Sequence, residues 1–143
     1  MASIRIPTGA WASLSEHVTR EKTVAHFHDD MPEVYGTPFM IYLMELAAAS
    51  AIKPYLPEGW ISVGAGVDVT HLAATPVGYT VTARAEVLEW NGRTVIFAVE
   101  ARDGLELIGQ GRHVRAPVEV ARFNRGVAAK TLQRPSGDQA QGQ

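Results

Sequence analysis

The stretch YTVTARAEVLEWNGRTVIFAVEA, Tyr79 to Ala101, places apolar side chains at alternate positions on either side of Asn91-Gly92. Tyr79, Val81, Ala83, Ala85 and Val87 alternate with Thr80, Thr82, Arg84 and Glu86, and Val95, Phe97, Val99 and Ala101 repeat the pattern. A period of two is that of a pleated strand with one buried face, and Asn-Gly supplies the positive φ of a two-residue hairpin. The sequence therefore predicts two long antiparallel strands. Asp103-Gly104 gives another turn, and Leu105 to Val118 a further strand in which Gly109 and Gly111 predict a bulge or a close backbone approach. Ile61 to Leu72 supplies one more strand.

Upstream the pattern is helical. Thr37 stands in an N-cap position before Pro38 at the first helical position, Phe39 to Ile52 follow, and Pro54 ends the run. A short strand is expected near Val24 and Ala25. The order strand, long helix, four strands gives an α+β domain whose meander covers one apolar helix. Such a sheet has edges that must be paired or covered, so dimerisation through an edge is expected.

The chain has 143 residues, 46% hydrophobic, with 13 basic and 15 acidic side chains and a formal charge of -2. That length suits one core, and the charge balance does not suit a nucleic-acid surface. The lack of cysteine excludes disulfides, thiolate metal sites and a cysteine nucleophile, and is compatible with the cytoplasm. Pro7, Thr8 and Gly9 interrupt the N-terminal stretch, which argues against an export signal, and the apolar run Pro38 to Ile52 is too short to span a bilayer. Residues 1–132 are expected to form the domain, and Gln133 to Gln143, rich in Gln, Gly, Ser and Pro, a flexible tail.

Three polar residues stand out against these apolar surroundings. Glu45 is the one charged residue between Val34 and Ile52, with Ile41, Tyr42, Ala48 and Ala49 at helical spacing around it. A carboxylate on an apolar face needs a partner or a function. The bland alternative is a core glutamate bonded to backbone or to a tyrosine hydroxyl; the functional one pairs it with His71 or makes it a base. Thr37 is explained by capping, yet a hydroxyl at a helix N-terminus also sits where N–H groups and the dipole favour a developing oxyanion. His71 follows a glycine-containing approach through Gly64 and Gly66 that lets backbone come close to a ligand. Hydroxyl, carboxylate and imidazole together point to acyl transfer.

Other groups are weaker. His26, His28, Asp29 and Asp30 allow a metal site, although a solvated loop explains them better, and no metal or cofactor is expected. Met31, Met40 and Met44 suit either a soft apolar channel or core packing. Arg112 and Arg115 reach either ligand phosphates or solvent.

The segments Thr37-Pro38-Phe39-Met40 with Leu43-Met44-Glu45, Val63-Gly64, Val67 to Pro76 with Gly78, and Gly111 to Arg115 resemble the fluoroacetyl-CoA thioesterase-like branch of the hotdog-fold acyl-CoA thioesterases. The resemblance covers most of Thr23 to Asn124. It implies a hotdog fold, a homodimer with two sites at the subunit interface, an acyl-CoA substrate of short or medium length, and no prosthetic group. The family's catalytic Thr, Glu and His fall on Thr37, Glu45 and His71, and its ligand-contacting Gly and Arg on Gly64 and Arg115. Its aromatic lid segment is replaced here by a stretch offering His28 and Met31 to the substrate. Three competing readings remain: a non-catalytic acyl-CoA binding module, an enoyl-thioester hydratase, whose Asp and His motif is lacking near the helix, and a structural dimerisation domain, which leaves Glu45 unexplained.

Overall fold

Alternation in the sequence becomes a curled antiparallel sheet in a computed structural model that describes residues 3–135. The strands are β1 (Trp11–His17), β2 (Trp60–His71), β3 (Thr80–Trp90), β4 (Val95–Arg102) and β5 (Leu107–Glu119), in the spatial order β1-β3-β4-β5-β2. Helix α1 (Thr37–Ile52) lies in the concave face, and α2 (Val120–Leu132) extends from the end of β5. The hairpin around Asn91-Gly92 forms, with Trp90 paired to Val95, but its register differs from the sequence reading: the Asn91 amide bonds the Thr94 carbonyl, the turn residues are Gly92 and Arg93, and only Gly92 takes a positive φ. Its turn is closed by the Asn91 side-chain oxygen, which accepts from the amides of Arg93 and Thr94.

The inward residues of β3 and β4, namely Val81, Ala83, Ala85, Val87, Val95, Phe97, Val99 and Ala101, are buried. They meet Met40, Leu43, Met44, Ala47, Ala48, Ala51 and Ile52, a stripe at three- and four-residue intervals along α1. Alanines on both surfaces let the helix axis come close to the sheet, where larger side chains would hold it away. Strand irregularities between Val87 and Glu89, Ala101 and Arg102, and Gly64 and Gly66 add the curl that wraps the sheet around the helix.

The structure departs from the sequence reading at three further places. The segment around Val24 and Ala25 forms two 3-10 turns, Arg20–Lys22 and Val24–His26, because the Thr23 hydroxyl closes onto the Arg20 carbonyl and only one bridge, Thr23 to Tyr35, pairs this backbone. The first strand is instead β1, an edge with most side chains exposed and hence no strong alternation to read. Helix α2 was not foreseen; none of its residues is buried, so no core pattern marks it in the sequence. Of the expected tail, residues 136–143 lie outside the described part.

Gly109 and Gly111 mark close approaches, as their position in a strand suggested. A Cβ on Gly109 would collide with the Met40 thioether, and one on Gly111 with the Asp68 carbonyl and, at 2.6 Å, the Val69 Cα. Met40 has a flexible side chain that can yield, whereas the Asp68–Val69 backbone belongs to the paired strand β2 and cannot. Gly111→Ala is therefore expected to destabilise by about 3 kcal/mol and Gly109→Ala by about 1 kcal/mol in urea denaturation. The opposite order would contradict this packing.

Candidate active site

Helix α1 begins with Gly36 as its N-cap, in an extended conformation with φ -79° and ψ 138°, and no side chain caps it. Thr37 is the first helical residue, not the cap the sequence suggested. Its hydroxyl is thus free of the capping role, and Thr37 Oγ1 lies 2.6 Å from His71 Nδ1 in the same chain. Pro38 has no N–H, and the amides of Phe39 and Met40 close on the Gly36 carbonyl. The first turn therefore offers a ligand the Thr37 amide and the positive end of the helix dipole.

The backbone before Thr37 is tied on both sides. Tyr35 is buried, and its hydroxyl donates to Glu16, which is also paired with Lys22. Burial, and then the neighbouring Glu16 carboxylate, hold the Tyr35 hydroxyl well above its usual range, so it remains a donor. The Tyr35 amide donates to the Thr75 carbonyl at 2.8 Å and the Gly36 amide to the Lys22 carbonyl at 2.9 Å. Thr75 is fixed in turn by donating to Asp103 at 2.8 Å. These bonds set the helix start against the segment that follows His71.

His71 terminates β2 and is half-buried. Burial lowers its pKa below the ordinary histidine value, an effect that a backbone group of Ala73 offsets only in part. A neutral ring bonded to Thr37 through Nδ1 is the form that accepts a hydroxyl proton. Its Nε2 is buried and has no hydrogen-bond partner. The pair opens into a cavity of about 670 Å³ lined by Val24, Phe27, His28, Val34, Phe39 and Leu72 to Ala74. His28 lines this cavity, whereas the exposed Met31 is not among its lining residues. The aromatic wall comes from Phe27, stacked on Phe39 with centroids 6.2 Å apart and planes at 19°. Sequence reasoning overlooked Phe27; the signal available was an aromatic residue flanked by His26 and His28.

Glu45 lies eight residues along α1 from Thr37, about 12 Å at the helical rise. It does not pair with His71 within the protomer, as one sequence reading had it. Its side chain is 32% exposed, and Oε2 lies 4.0 Å from His113 Nε2. Gly64 leaves room for it, since a Cβ there would stand 2.7 Å from Oε2. Arg115 lies beside this group with its donors turned inward: Nε to the Ser62 hydroxyl and Nη2 to the Ser62 carbonyl, both 2.8 Å, and Nη1 to His113 Nε2 at 3.2 Å. Arg115 is buried whereas Arg112 is exposed, so the two arginines face opposite sides of the sheet and Arg115 does not reach outward for a phosphate. Burial depresses the Arg115 pKa and Glu45 opposes that shift.

The loop carrying the histidines holds no metal geometry. Among the described residues no three His, Cys, Asp or Glu side chains converge. Arg20 instead ties the loop down, with Nε to Glu33 at 2.9 Å and Nη2 to Asp29 at 3.8 Å. Among the described residues no helix is long and apolar enough to cross a membrane.

Known proteins share this fold and much of this sequence. Residues 18–121 match the family model of the fluoroacetyl-CoA-specific thioesterases. The chain is 43% identical over 120 residues to the fluoroacetyl-CoA thioesterase of Streptantibioticus cattleyicolor, covering 80% of this chain and 86% of that one. A solved fluoroacetyl-CoA thioesterase superposes with a TM-score of 0.81 at 38% identity, over 92% of this chain and 99% of that one. A thioesterase superfamily member of Thermus thermophilus gives 0.84 at 32% identity, over 90% and 96%. A hot-dog-like protein of Thermanaerovibrio acidaminovorans gives 0.80 at 25% identity, over 87% and 93%. The helix cradled by an antiparallel sheet is therefore a hotdog fold, and the chain belongs to the fluoroacetyl-CoA-specific thioesterase family.

Proposed function

We propose that the protein is an acyl-CoA thioesterase that releases a short or medium acyl group as the free acid, with Thr37, His71 and Glu45 as its catalytic groups. The observation that carries this reading is the 2.6 Å contact between the Thr37 hydroxyl and a neutral, half-buried His71 at the mouth of an apolar cavity. In the reaction His71 takes the proton of the oxygen that attacks the thioester carbonyl. It returns that proton to the departing CoA sulfur. The Thr37 amide and the helix dipole stabilise the charge that develops on the carbonyl oxygen. Attack by Thr37 itself gives an acyl-enzyme that water then cleaves, and mass spectrometry of quenched enzyme distinguishes this from direct attack by water.

Glu45 enters this scheme through a second copy of the chain. Strand β2 is a sheet edge, Ile61 and Val67 on it are exposed, and so are Tyr42 and Leu46 on α1. Antiparallel pairing of two β2 strands covers these residues and brings the Gly64 and Glu45 side of one protomer toward the His71 end of its partner. The working unit is then a cytoplasmic homodimer with two sites at its interface. A non-catalytic binding module would have no need for a hydroxyl held on a neutral imidazole.

Thiol release from a panel of acetyl-, fluoroacetyl-, butyryl-, hexanoyl- and benzoyl-CoA tests the reading. Thr37→Ala, Glu45→Ala and His71→Ala are each expected to lower kcat at least about 100-fold while remaining folded dimers. Full turnover in all three would remove the trio from the mechanism. Because burial lowers the His71 pKa, the base stays neutral below the free-histidine value of about 6.5, and kcat/KM falls only as the pH drops through that lowered value. An acid limb above about 6.5 would contradict the assignment of His71 as the base.

Phe27 sets the acyl size on this reading. Phe27→Ala removes the ring stacked on Phe39 and is expected to raise kcat/KM for hexanoyl-CoA relative to acetyl-CoA by roughly tenfold. An unchanged ratio would show that Phe27 takes no part in selection.

A further inference from the structure

His113 is 1% exposed, among the most buried polar side chains of the protein, and the scheme above gives it no role. Its bonds define its state. Nδ1 lies 2.8 Å from the Gly66 carbonyl, which can only accept, so Nδ1 carries the hydrogen. Nε2 lies 3.2 Å from Arg115 Nη1, which can only donate, so Nε2 presents a lone pair. The ring is thus neutral, and it is spent on two partners that both border Glu45. Gly66 closes the irregularity in β2 that begins at Gly64, the residue whose missing Cβ makes room for Oε2. Arg115 brings the positive charge that acts on that carboxylate.

We propose that His113 is a positioning residue for Glu45: its bond to Gly66 fixes the ring, and Nε2 then orients the Arg115 guanidinium, so that the carboxylate is held in one place beside β2. The inference rests on the assignment of Glu45 to the reaction. A purely packing role would need only the ring's shape, since His113 also stacks on Phe97 with centroids 6.0 Å apart and planes at 26°. Phenylalanine supplies that shape without the bonds. Asparagine restores a donor near the Nδ1 position, toward Gly66, and glutamine an acceptor near the Nε2 position, toward Arg115.

The experiment measures kcat and KM of His113→Phe, His113→Asn, His113→Gln and Glu45→Gln with acetyl-CoA and fluoroacetyl-CoA, with thermal melts confirming folding. His113→Gln is expected to keep kcat within about threefold of wild type. His113→Asn and His113→Phe are expected to lose about tenfold to a hundredfold in kcat with KM changed less than about twofold, the mark of misplacement rather than lost binding. If His113→Phe does not fold, the comparison of glutamine with asparagine decides alone. Wild-type kcat in His113→Asn, or equal losses in His113→Asn and His113→Gln, would overturn the inference while an inactive Glu45→Gln leaves the assignment of Glu45 standing. Wild-type kcat in Glu45→Gln would overturn both.

Discussion

The close seating of α1 in the sheet is the constraint from which the rest of this structure follows. Ala47, Ala48 and Ala51 on the helix and Ala83, Ala85 and Ala101 on β3 and β4 are all buried in one core with Met40, Met44, Ile52 and Phe97. Where small and large side chains share one packed layer, rotation or sliding of the helix would create overlaps or voids, and interiors tolerate neither cheaply. Both polar stations on α1 inherit that rigidity. Thr37 is fixed at the helix start and Glu45 two turns further on, so neither depends on a mobile loop for its position.

The two stations are kept chemically distinct by their surroundings. Around His71 the lining is largely apolar and the nearest polar partner is a hydroxyl, so burial dominates and the ring stays neutral. Glu45 keeps part of its side chain in solvent and has the Arg115 guanidinium and the neutral His113 ring beside it, which is how a carboxylate sits on an otherwise apolar helix. Had a cation stood beside His71, its pKa would fall further. Had Arg115 been absent, Glu45 would face only the neutral ring of His113. Helix α1 thus presents Thr37 to a neutral imidazole and Glu45 to a charged guanidinium, about 12 Å apart along its own length.

Much of this was legible in the sequence, and the exceptions have physical reasons. Strands with one fully buried face, β3 and β4, wrote their alternation plainly, and Asn91-Gly92 marked the place of their connection, although the turn itself falls one residue later, on Gly92 and Arg93. Strand β1 is an exposed edge, so its side chains were under no such demand and left no pattern. The anomaly of Glu45 was readable because a lone charge between apolar neighbours is costly anywhere. Its partner was not: His113 and Arg115 lie some seventy residues away, and only the β2–β5 register, which sets Gly64 against Arg115 and Val67 against His113, brings them together. Thr37 beside Pro38 read as a cap for sound local reasons. In the structure Gly36 is the cap, its amide and that of Tyr35 bonded to Lys22 and Thr75, and the Thr37 hydroxyl meets His71, contacts between distant residues that no local rule contains.

On the proposed reading, the distance between the stations gives the bare β2 edge a purpose. A thioester carbonyl at the start of α1 would be within reach of Thr37 and His71, and Glu45 of the same chain would lie beyond it along the helix axis. The end of β2 that carries His71 and the middle that carries Gly64 belong to one continuous strand, so a two-fold axis across that strand would set each against the other's copy. On the proposed reading, the exposed apolar residues Ile61, Val67, Tyr42 and Leu46 are the surface that pays for this assembly. Covering them with a second protomer would stabilise the dimer and complete both sites in the same step, so that folding of the edge and assembly of the catalytic groups become one event.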